Sequence, residues 1–264
     1  MPGIVQFGPL VMASDRLLAL ALIMAFLFGL DRIALRHGLP AKTGGIALAA
    51  GLVSARLAYV LTHYDAFAQD WGAAFAFWQG GFTGWAGFLG AAAVVAWRVK
   101  SRAAALPSLG MLAAIAALWF GGSALLRPSP GPMPELPQML DLQGKAFDPG
   151  QLAGRPYVVN LWATWCPPCR RELPMLAQEA GRAGVPILLV SQGEDARIVR
   201  TFLEREGIAG SAVLLDRASG LSRALGSTAL PTTLFVDRQG RIVETQIGEL
   251  SRAALADGIA SIEE

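Results

Sequence analysis

The feature of the sequence that most restricts its fold is a pair of cysteines, Cys166 and Cys169, the only two in 264 residues. An apolar run over residues 158–162 precedes them and predicts a buried strand. A helical pattern begins at the second cysteine and continues through Leu173 and Leu176. A strand, two closely spaced cysteines and a helix in this order predict a redox-active dithiol at the start of a helix.

Their place in the helix would make the two cysteines chemically different. Cys166 would lie at the helix N-terminus, where the dipole and free N–H groups lower its thiol pKa and make it the attacking thiolate. Cys169, one turn further on, would be more buried and would resolve the mixed disulfide. Pro167 and Pro168 lack N–H groups, but the first helical turn tolerates this. These prolines and Trp165 are predicted to contact the substrate.

A structural disulfide and half of a zinc site are the alternatives for the cysteine pair. Zinc would need two further ligands, and the only histidines, His37 and His63, lie far away in apolar sequence. A structural disulfide rarely closes so small a ring at the start of a helix. The sequence therefore predicts no metal and no cofactor other than the redox-active disulfide between Cys166 and Cys169.

Three segments after Leu136 carry a family resemblance. They are Asn160-Leu-Trp-Ala-Thr-Trp-Cys-Pro-Pro-Cys169, Glu172-Leu-Pro174, and Leu230-Pro-Thr-Thr-Leu-Phe-Val-Asp237 followed by Gln239-Gly240. On these segments the chain resembles the TlpA/ResA-type thiol-disulfide oxidoreductases, membrane-tethered thioredoxin-like reductases of the bacterial envelope. The resemblance implies a thioredoxin-like α/β fold over residues 138–264.

The resemblance also implies roles for residues outside the cysteine motif. The Leu230–Pro231 bond would be cis and would face the dithiol, with the backbone at Leu230 pairing with an extended substrate segment. Glu172 would be a functional acidic residue that raises thiol pKa values and moves protons. The alternative for Glu172 is an ordinary glutamate on the surface of a helix. Asn160 stands where thioredoxin itself carries a buried aspartate.

Periodicity predicts alternating strands and helices in the second half of the chain. A short hairpin at 139–147 and a turn at 148–152 come first. Strands follow at 157–162, 185–191, 212–215, 232–236 and 241–247. One helix is expected from the second cysteine to about residue 182, and others at 195–206, 220–225 and 250–262.

The first half of the chain is too apolar for a soluble domain. The whole sequence is 53% hydrophobic and 16% charged, and the charges crowd into residues 135–264. The prediction is an all-α membrane bundle over residues 1–126 with about four transmembrane helices. The expected spans are 10–35, 44–62, 73–97 and 103–126, and a proline-rich linker at 127–137 would act as an extended spacer.

The loops between the expected spans predict the orientation. The loops around residues 32–42 and 98–102 are basic, whereas the loop between spans two and three carries only Asp65 and Asp70. The positive-inside rule places the basic loops in the cytoplasm and both termini outside. We therefore expect a multi-pass protein of the bacterial inner membrane, with its redox domain in the periplasm or on the outer face.

Two further segments, residues 51–61 and 78–90, resemble the N-terminal part of prolipoprotein diacylglyceryl transferase. Arg56 matches an arginine of that family, and it is the membrane-site candidate because intramembrane charge indicates function. The alternatives for Arg56 are contact with outer headgroups or with Asp65. Trp85-Ala86-Gly87 stands where the family carries His-Gly-Gly, and the later spans are absent, so transferase activity is not expected. Glycines at 81, 84, 87 and 90 predict close helix packing.

These observations predict a membrane-anchored thiol-disulfide oxidoreductase that reduces envelope protein disulfides, of the cytochrome c or copper-site maturation type. The spans contain no cysteine, so electrons must come from a separate membrane or thiol donor. The alternatives are a disulfide oxidase or isomerase on the same scaffold, or a lipid-transfer protein with a redox appendage. A net charge of +2 gives no indication of nucleic acid binding.

Overall fold

The computed structural model describes residues 4–7, 10–40, 42–126 and 129–263. The chain forms two compact units, one within residues 3–127 and the other within residues 128–264. The first unit is helical apart from a two-stranded antiparallel hairpin at its start. Its elements are β1 (Ile4–Phe7), β2 (Leu10–Ala13), α1 (Ser14–His37), α2 (Thr43–Thr62), α3 (Tyr64–Ala68), α4 (Gly84–Arg98) and α5 (Arg102–Leu126), with 3-10 turns at Trp71–Phe75 and Phe77–Gln79.

Among the described residues, three helices are long and apolar enough to cross a membrane, namely α1, α2 and α5. Four spans were expected, and by length and composition three of the described helices have the character of membrane spans. The expected span over 73–97 is not one helix. Its first part forms 3-10 turns and a bend at Gly80 and Gly81, both at positive φ. The remaining 15 residues form α4, about 22 Å long and short of the ~30 Å hydrocarbon core.

Glycines allow α2 and α4 to approach closely. A Cβ atom on Gly51 of α2 would lie 2.9 Å from the carbonyl oxygen of Gly87 in α4. A Cβ atom on Gly90 would lie 3.0 Å from the carbonyl oxygen of Ala50. The predicted close packing is therefore confirmed at positions 87 and 90, whereas Gly81 lies before the helix and contributes to the bend.

The second unit is a mixed seven-stranded sheet covered by helices. The strand order is β3-β9-β8-β5-β6-β7-β4, in which β5, β6 and β7 are parallel and the other neighbours are antiparallel. Its elements are β3 (Gly131–Pro132), β4 (Leu140–Asp141), β5 (Tyr157–Trp162), α6 (Pro167–Ala180), β6 (Ile187–Gln192), α7 (Ala196–Glu206), β7 (Val213–Asp216), α8 (Gly220–Leu225), β8 (Thr232–Val236), β9 (Arg241–Ile247) and α9 (Arg252–Glu263), with a 3-10 turn at Pro149–Leu152.

Both faces of this sheet are covered, which explains why β5 is apolar without alternation. Val158 and Trp162 belong to the core beneath α6, α7 and α9. Val159 and Leu161 point to the other face and belong to the core beneath α8. The predicted α/β thioredoxin-like architecture is confirmed, with element bounds within a few residues of those expected.

The segment expected to be a free spacer at 127–137 joins the sheet instead from Gly131 onward. Gly131 pairs with Ile242 in β9, and the N–H of Met133 donates to the carbonyl oxygen of Gly240 at 2.9 Å. Met133 and Leu136 pack against the core on the α8 face. An edge strand tolerates Pro132, because one side of such a strand needs no ladder hydrogen bond.

Candidate active site

The two cysteines lie where strand β5 passes into helix α6. Cys166 is the N-cap residue of α6 and forms a disulfide with Cys169, with 5.3 Å between their Cα atoms. The N–H of Cys169 donates to the Cys166 sulfur at 3.3 Å. Because Pro167 and Pro168 occupy the first two helical positions, this third-position N–H is the first one in the helix that can reach the sulfur.

The sequence predicts that Cys166 is the more accessible cysteine. In the structure Cys166 is slightly more exposed than Cys169. Cys166 retains 3% exposure and Cys169 has none. Trp165, at 68% exposed, and Pro167 stand at the surface beside the disulfide, and Pro168 is half-buried. A partner that approaches the Cys166 sulfur therefore meets Trp165 and the proline pair first.

Glu172 is buried behind the dithiol and is not a surface glutamate. One carboxylate oxygen accepts a hydrogen bond from the Asn160 side-chain amide at 2.8 Å. The other accepts one from the backbone N–H of Leu250 at 2.6 Å. The same Asn160 amide nitrogen donates to the Thr233 hydroxyl at 3.0 Å. Glu172 follows Cys169 by three residues, so the two side chains lie on the same face of α6.

Burial raises the pKa of the Glu172 carboxyl from its ordinary 4.5 to about 7. The hydrogen bonds from Leu250 and Asn160 oppose this rise because they stabilise the carboxylate. The nearby charge of Glu249 adds to it, and that of Arg171 reduces it. Glu172 can therefore take up and release a proton near neutral pH, next to a pair of thiols that must do the same.

The Leu230–Pro231 peptide bond is cis, as the resemblance implies. Pro231 is buried and Leu230 is half-buried. Thr232, the next residue, pairs with Leu161 of β5. Since the cysteine loop begins just after Trp162, the cis bond lies at the same end of the sheet as the dithiol.

The position of Glu194 after Ser191-Gln-Gly suggests from the sequence that it lies near the site, and the structure buries it beside the redox loop. Its carboxylate accepts hydrogen bonds from the backbone N–H of Thr164 at 2.9 Å, from the Thr164 hydroxyl at 2.5 Å and from the Ser191 hydroxyl at 2.9 Å. Thr164 precedes Trp165 and Cys166 in the redox loop. Glu194 thus anchors the loop that presents the attacking cysteine, and a lone glutamate after a strand carries no sequence signal for this.

Arg56 lies in the membrane unit, in α2, and is enclosed by protein. Its guanidinium donates to the backbone carbonyls of Ala73 at 2.6 Å and of Ala74 at 3.0 Å, and to those of Gly80 at 2.5 Å and Gly81 at 3.0 Å. Only 4% of Arg56 is exposed, so neither expected alternative, outer headgroups or Asp65, describes its partners. Four aromatic rings surround the guanidinium at 5.4 to 6.0 Å, those of Tyr59, Phe67, Phe77 and Phe82.

Comparison with known proteins agrees with both halves of this description. Residues 130–259 match the Redoxin family, and residues 5–128 match the prolipoprotein diacylglyceryl transferase family. A thiol:disulfide interchange protein of the thioredoxin family from Chlorobium tepidum has 27% sequence identity and a TM-score of 0.44, over 52% of this chain and 99% of that chain.

Curated relatives from several bacteria carry the name thiol-disulfide oxidoreductase ResA. The protein of Halalkalibacterium halodurans is 32% identical over 114 residues, which are 42% of this chain and 64% of that protein, just under two thirds of its length. The protein of Geobacillus thermodenitrificans is 31% identical over 125 residues, which are 46% of this chain and 71% of that protein.

The fold and the Cys-x-x-Cys site define a thioredoxin-like redox domain. The chain belongs to the ResA-type family of thiol-disulfide oxidoreductases.

Proposed function

We propose that this protein is a membrane-anchored reductase of disulfides in envelope proteins. The observation that carries the proposal is the Cys166–Cys169 disulfide at the start of α6, with the buried, protonatable Glu172 on the same helix. The dithiol stores the two electrons itself, so no cofactor beyond the redox-active disulfide is needed. The positive-inside rule supports a periplasmic or outer-face position for the redox domain.

In the reduced protein, the Cys166 thiolate attacks one sulfur of the substrate disulfide and the other substrate sulfur leaves as a thiolate. The Cys169 thiolate then attacks the Cys166 sulfur, which releases the second substrate sulfur and forms the internal disulfide. Two electrons pass from the enzyme dithiol to the substrate. A separate dithiol donor, in the membrane or in solution, reduces the enzyme again.

Glu172 supports this cycle in its second step. Cys169 is fully buried and must lose its proton before it can attack. A buried carboxylate with a pKa of about 7 can accept that proton near neutral pH. On the outer side, Leu230 and Pro231 stand at the sheet end beside the cysteine loop, where a substrate segment can lie against the Leu230 backbone.

The reducing direction has its own support. Pro168 removes the N–H group of the second helical position, which could otherwise donate to the N-cap sulfur, so only the Cys169 N–H is bonded to the Cys166 sulfur. Fewer donors stabilise the thiolate less, and strong oxidants owe their potential to a stabilised reduced form. Cytochrome c haem-site cysteines and copper-site cysteines are the substrate classes that the family resemblance favours.

The test is mixed-disulfide trapping with the whole chain in detergent. The Cys169→Ser variant, reduced and mixed with a disulfide peptide, should accumulate a covalent complex through Cys166. The Cys166→Ser variant should form much less, because Cys169 is buried. The unchanged protein should release reduced peptide with one disulfide formed per enzyme. If Cys166→Ser traps as well as Cys169→Ser, the assigned roles are wrong.

A further inference from the structure

A positively charged groove lies directly beside the cysteine loop and is not used by the exchange chemistry described above. Its volume is about 590 Å³. Thr164, two residues before Cys166, forms one wall, and helix α7 forms most of the rest. The remaining lining residues are Arg170, Arg197, Ile198, Thr201, Phe202 and Arg205.

The groove carries more positive than negative charge. Three of its lining residues are arginines, and two carboxylates adjoin it. Glu206 pairs with Arg170 at 3.5 Å and with Arg205 at 3.0 Å, and Glu194 accepts hydrogen bonds from Thr164. Arg197 is exposed, and no carboxylate of the described residues pairs with it. The groove therefore has unbalanced positive charge that an anionic group can neutralise.

Two of the three arginines, Arg170 and Arg205, are held against an apolar floor. The guanidinium carbons of Arg170 and Arg205 lie 5.6 and 5.7 Å from the ring centre of Phe202, which is 5% exposed. Ile198 is exposed at the edge of the groove. Arginines packed on an aromatic ring lose little freedom on binding a carboxylate, because their planes are already oriented.

The sheet order places this groove on the opposite side of the dithiol from Leu230 and Pro231. β8, which follows the cis bond, is one neighbour of β5, and β6, which leads into α7, is the other. A substrate segment that crosses the Cys166 sulfur and lies against Leu230 would continue toward the groove.

We propose that this groove binds an acidic segment of the substrate protein, next to the disulfide that Cys166 attacks. The inference rests on the proposed function and adds a substrate class to it. The charge balance calls for carboxylates, and the volume suits a few side chains. A peptide fits better than a lipid headgroup, because whatever occupies the groove lies against Thr164 in the loop where a protein disulfide must approach.

The test is the rate at which the reduced whole chain, in phosphatidylcholine nanodiscs, reduces two matched disulfide peptides. One peptide carries glutamates beside its cysteines and the other carries glutamines at the same positions. We expect the glutamate peptide to be reduced about tenfold faster at low ionic strength, with the ratio falling as salt is added. Acid quenching followed by chromatography of the peptide thiols gives both rates.

The R197Q/R205Q variant removes two groove charges without touching Arg170, which adjoins Cys169. We expect its rate ratio to fall within twofold of one. The matched control, R182Q/R238Q, removes two exposed charges at the far end of the domain, and we expect it to keep the full ratio. An uncharged small disulfide should react equally with all three proteins, which shows that the dithiol is intact.

A ratio near one in the unchanged protein, or a full ratio in R197Q/R205Q, would overturn the inference and leave the proposed function standing. Failure to reduce any disulfide, the uncharged one included, would instead remove the proposed function and the inference with it. A third outcome would also show the inference to be wrong. If phosphatidylglycerol in the nanodisc slows the reduction of both peptides equally, and R197Q/R205Q removes that slowing, the groove holds a lipid headgroup.

Discussion

The side-chain amide of Asn160 donates a 2.8 Å hydrogen bond to the Glu172 carboxylate, and so joins the strand that enters the redox loop to the helix that leaves it. Both residues are buried, at 0% and 3% exposure. The Asn160 oxygen has no hydrogen-bond partner among the described residues. The titrating group of this pair, Glu172, therefore lies on the helix that carries the cysteines, and the strand contributes the neutral Asn160.

The raised pKa of Glu172 predicts a loss of stability as pH rises. Between pH 4.5 and about 7 the folded protein holds a proton that the unfolded chain has released. The stabilisation is thus complete below about pH 4.5 and is lost as pH rises to about 7, by roughly 3 kcal/mol. We expect Glu172→Gln to remove this pH dependence. The measurement is urea unfolding of the oxidised protein at each pH. Pulse proteolysis reports the unfolded fraction through cleavage within residues 138–263.

The matched control for this change is Glu204→Gln, which alters an exposed glutamate on α7. We expect it to keep the pH dependence of the unchanged protein. Burial also raises the pKa of Glu244, so a small fall remains in Glu172→Gln. A Glu172→Gln protein whose stability falls as much as that of the unchanged protein would contradict the assignment to Glu172.

Removing the Glu194 carboxylate should destabilise the loop before the cysteines. Glu194→Ala leaves the N–H of Thr164 and the hydroxyl of Ser191 without their acceptor, at a cost of about 2 to 3 kcal/mol. Glu194→Gln retains one acceptor oxygen and should cost about half as much. The same unfolding assay gives the loss, and faster exchange of the Thr164 amide hydrogen places it in the loop. Equal stability of Glu194→Ala and Glu204→Ala would contradict this role.

The position of Arg56 predicts a structural role in the membrane unit. Its bonds to five backbone carbonyls between residues 73 and 81 hold the segment of 3-10 turns that precedes α4. A lysine keeps the charge but cannot reproduce this planar set of donors. We expect Arg56→Lys to lower the free energy of unfolding by about 2 to 3 kcal/mol. In detergent this loss should appear as a lower temperature at which the protein aggregates on heating. Arg36→Lys, at an exposed position, is the control, and equal behaviour of the two variants would refute the structural role.

The fold of the redox unit could be predicted because its pattern is local. The apolar run before Cys166, the helical spacing after Cys169 and the turn at Asp237–Gly240 each determine an element by themselves. The edge strand at Gly131–Pro132 could not be predicted, because its partner β9 lies more than 100 residues away and a run of prolines suggests an unpaired segment.

The site was only partly predictable, for a similar reason. The cysteine spacing and the family resemblance identified the dithiol, Glu172 and Pro231 as candidates. The hydrogen-bonding roles of Glu194 and Arg56 follow from their burial. That burial depends on segments distant in sequence, which local patterns do not reveal. The expected span over 73–97 was wrong as a single helix because Gly80 and Gly81 take positive φ and bend the chain before α4, and carbonyls on both sides of that bend bind Arg56.

The proline pair predicts a specific shift in reduction potential. Pro168→Ala adds an N–H at the second helical position, from which a donor can reach the N-cap sulfur. One more hydrogen bond to the thiolate, about 1.5 kcal/mol, would make the potential about 30 mV more positive. Pro167→Ala adds its N–H at the first position, which does not reach the sulfur, and should leave the potential unchanged. Equal shifts in the two variants would argue against this account.

The reduction potential of the whole chain in detergent is the most direct test of the central claim, that this dithiol is a reductant. The chain has no other cysteine, so thiol alkylation after equilibration in dithiothreitol or glutathione buffers reports one couple. We predict a value near or below ~−270 mV, that of thioredoxin. A value near ~−120 mV, as in strong envelope oxidants, would contradict the reductase assignment and make the protein a disulfide donor.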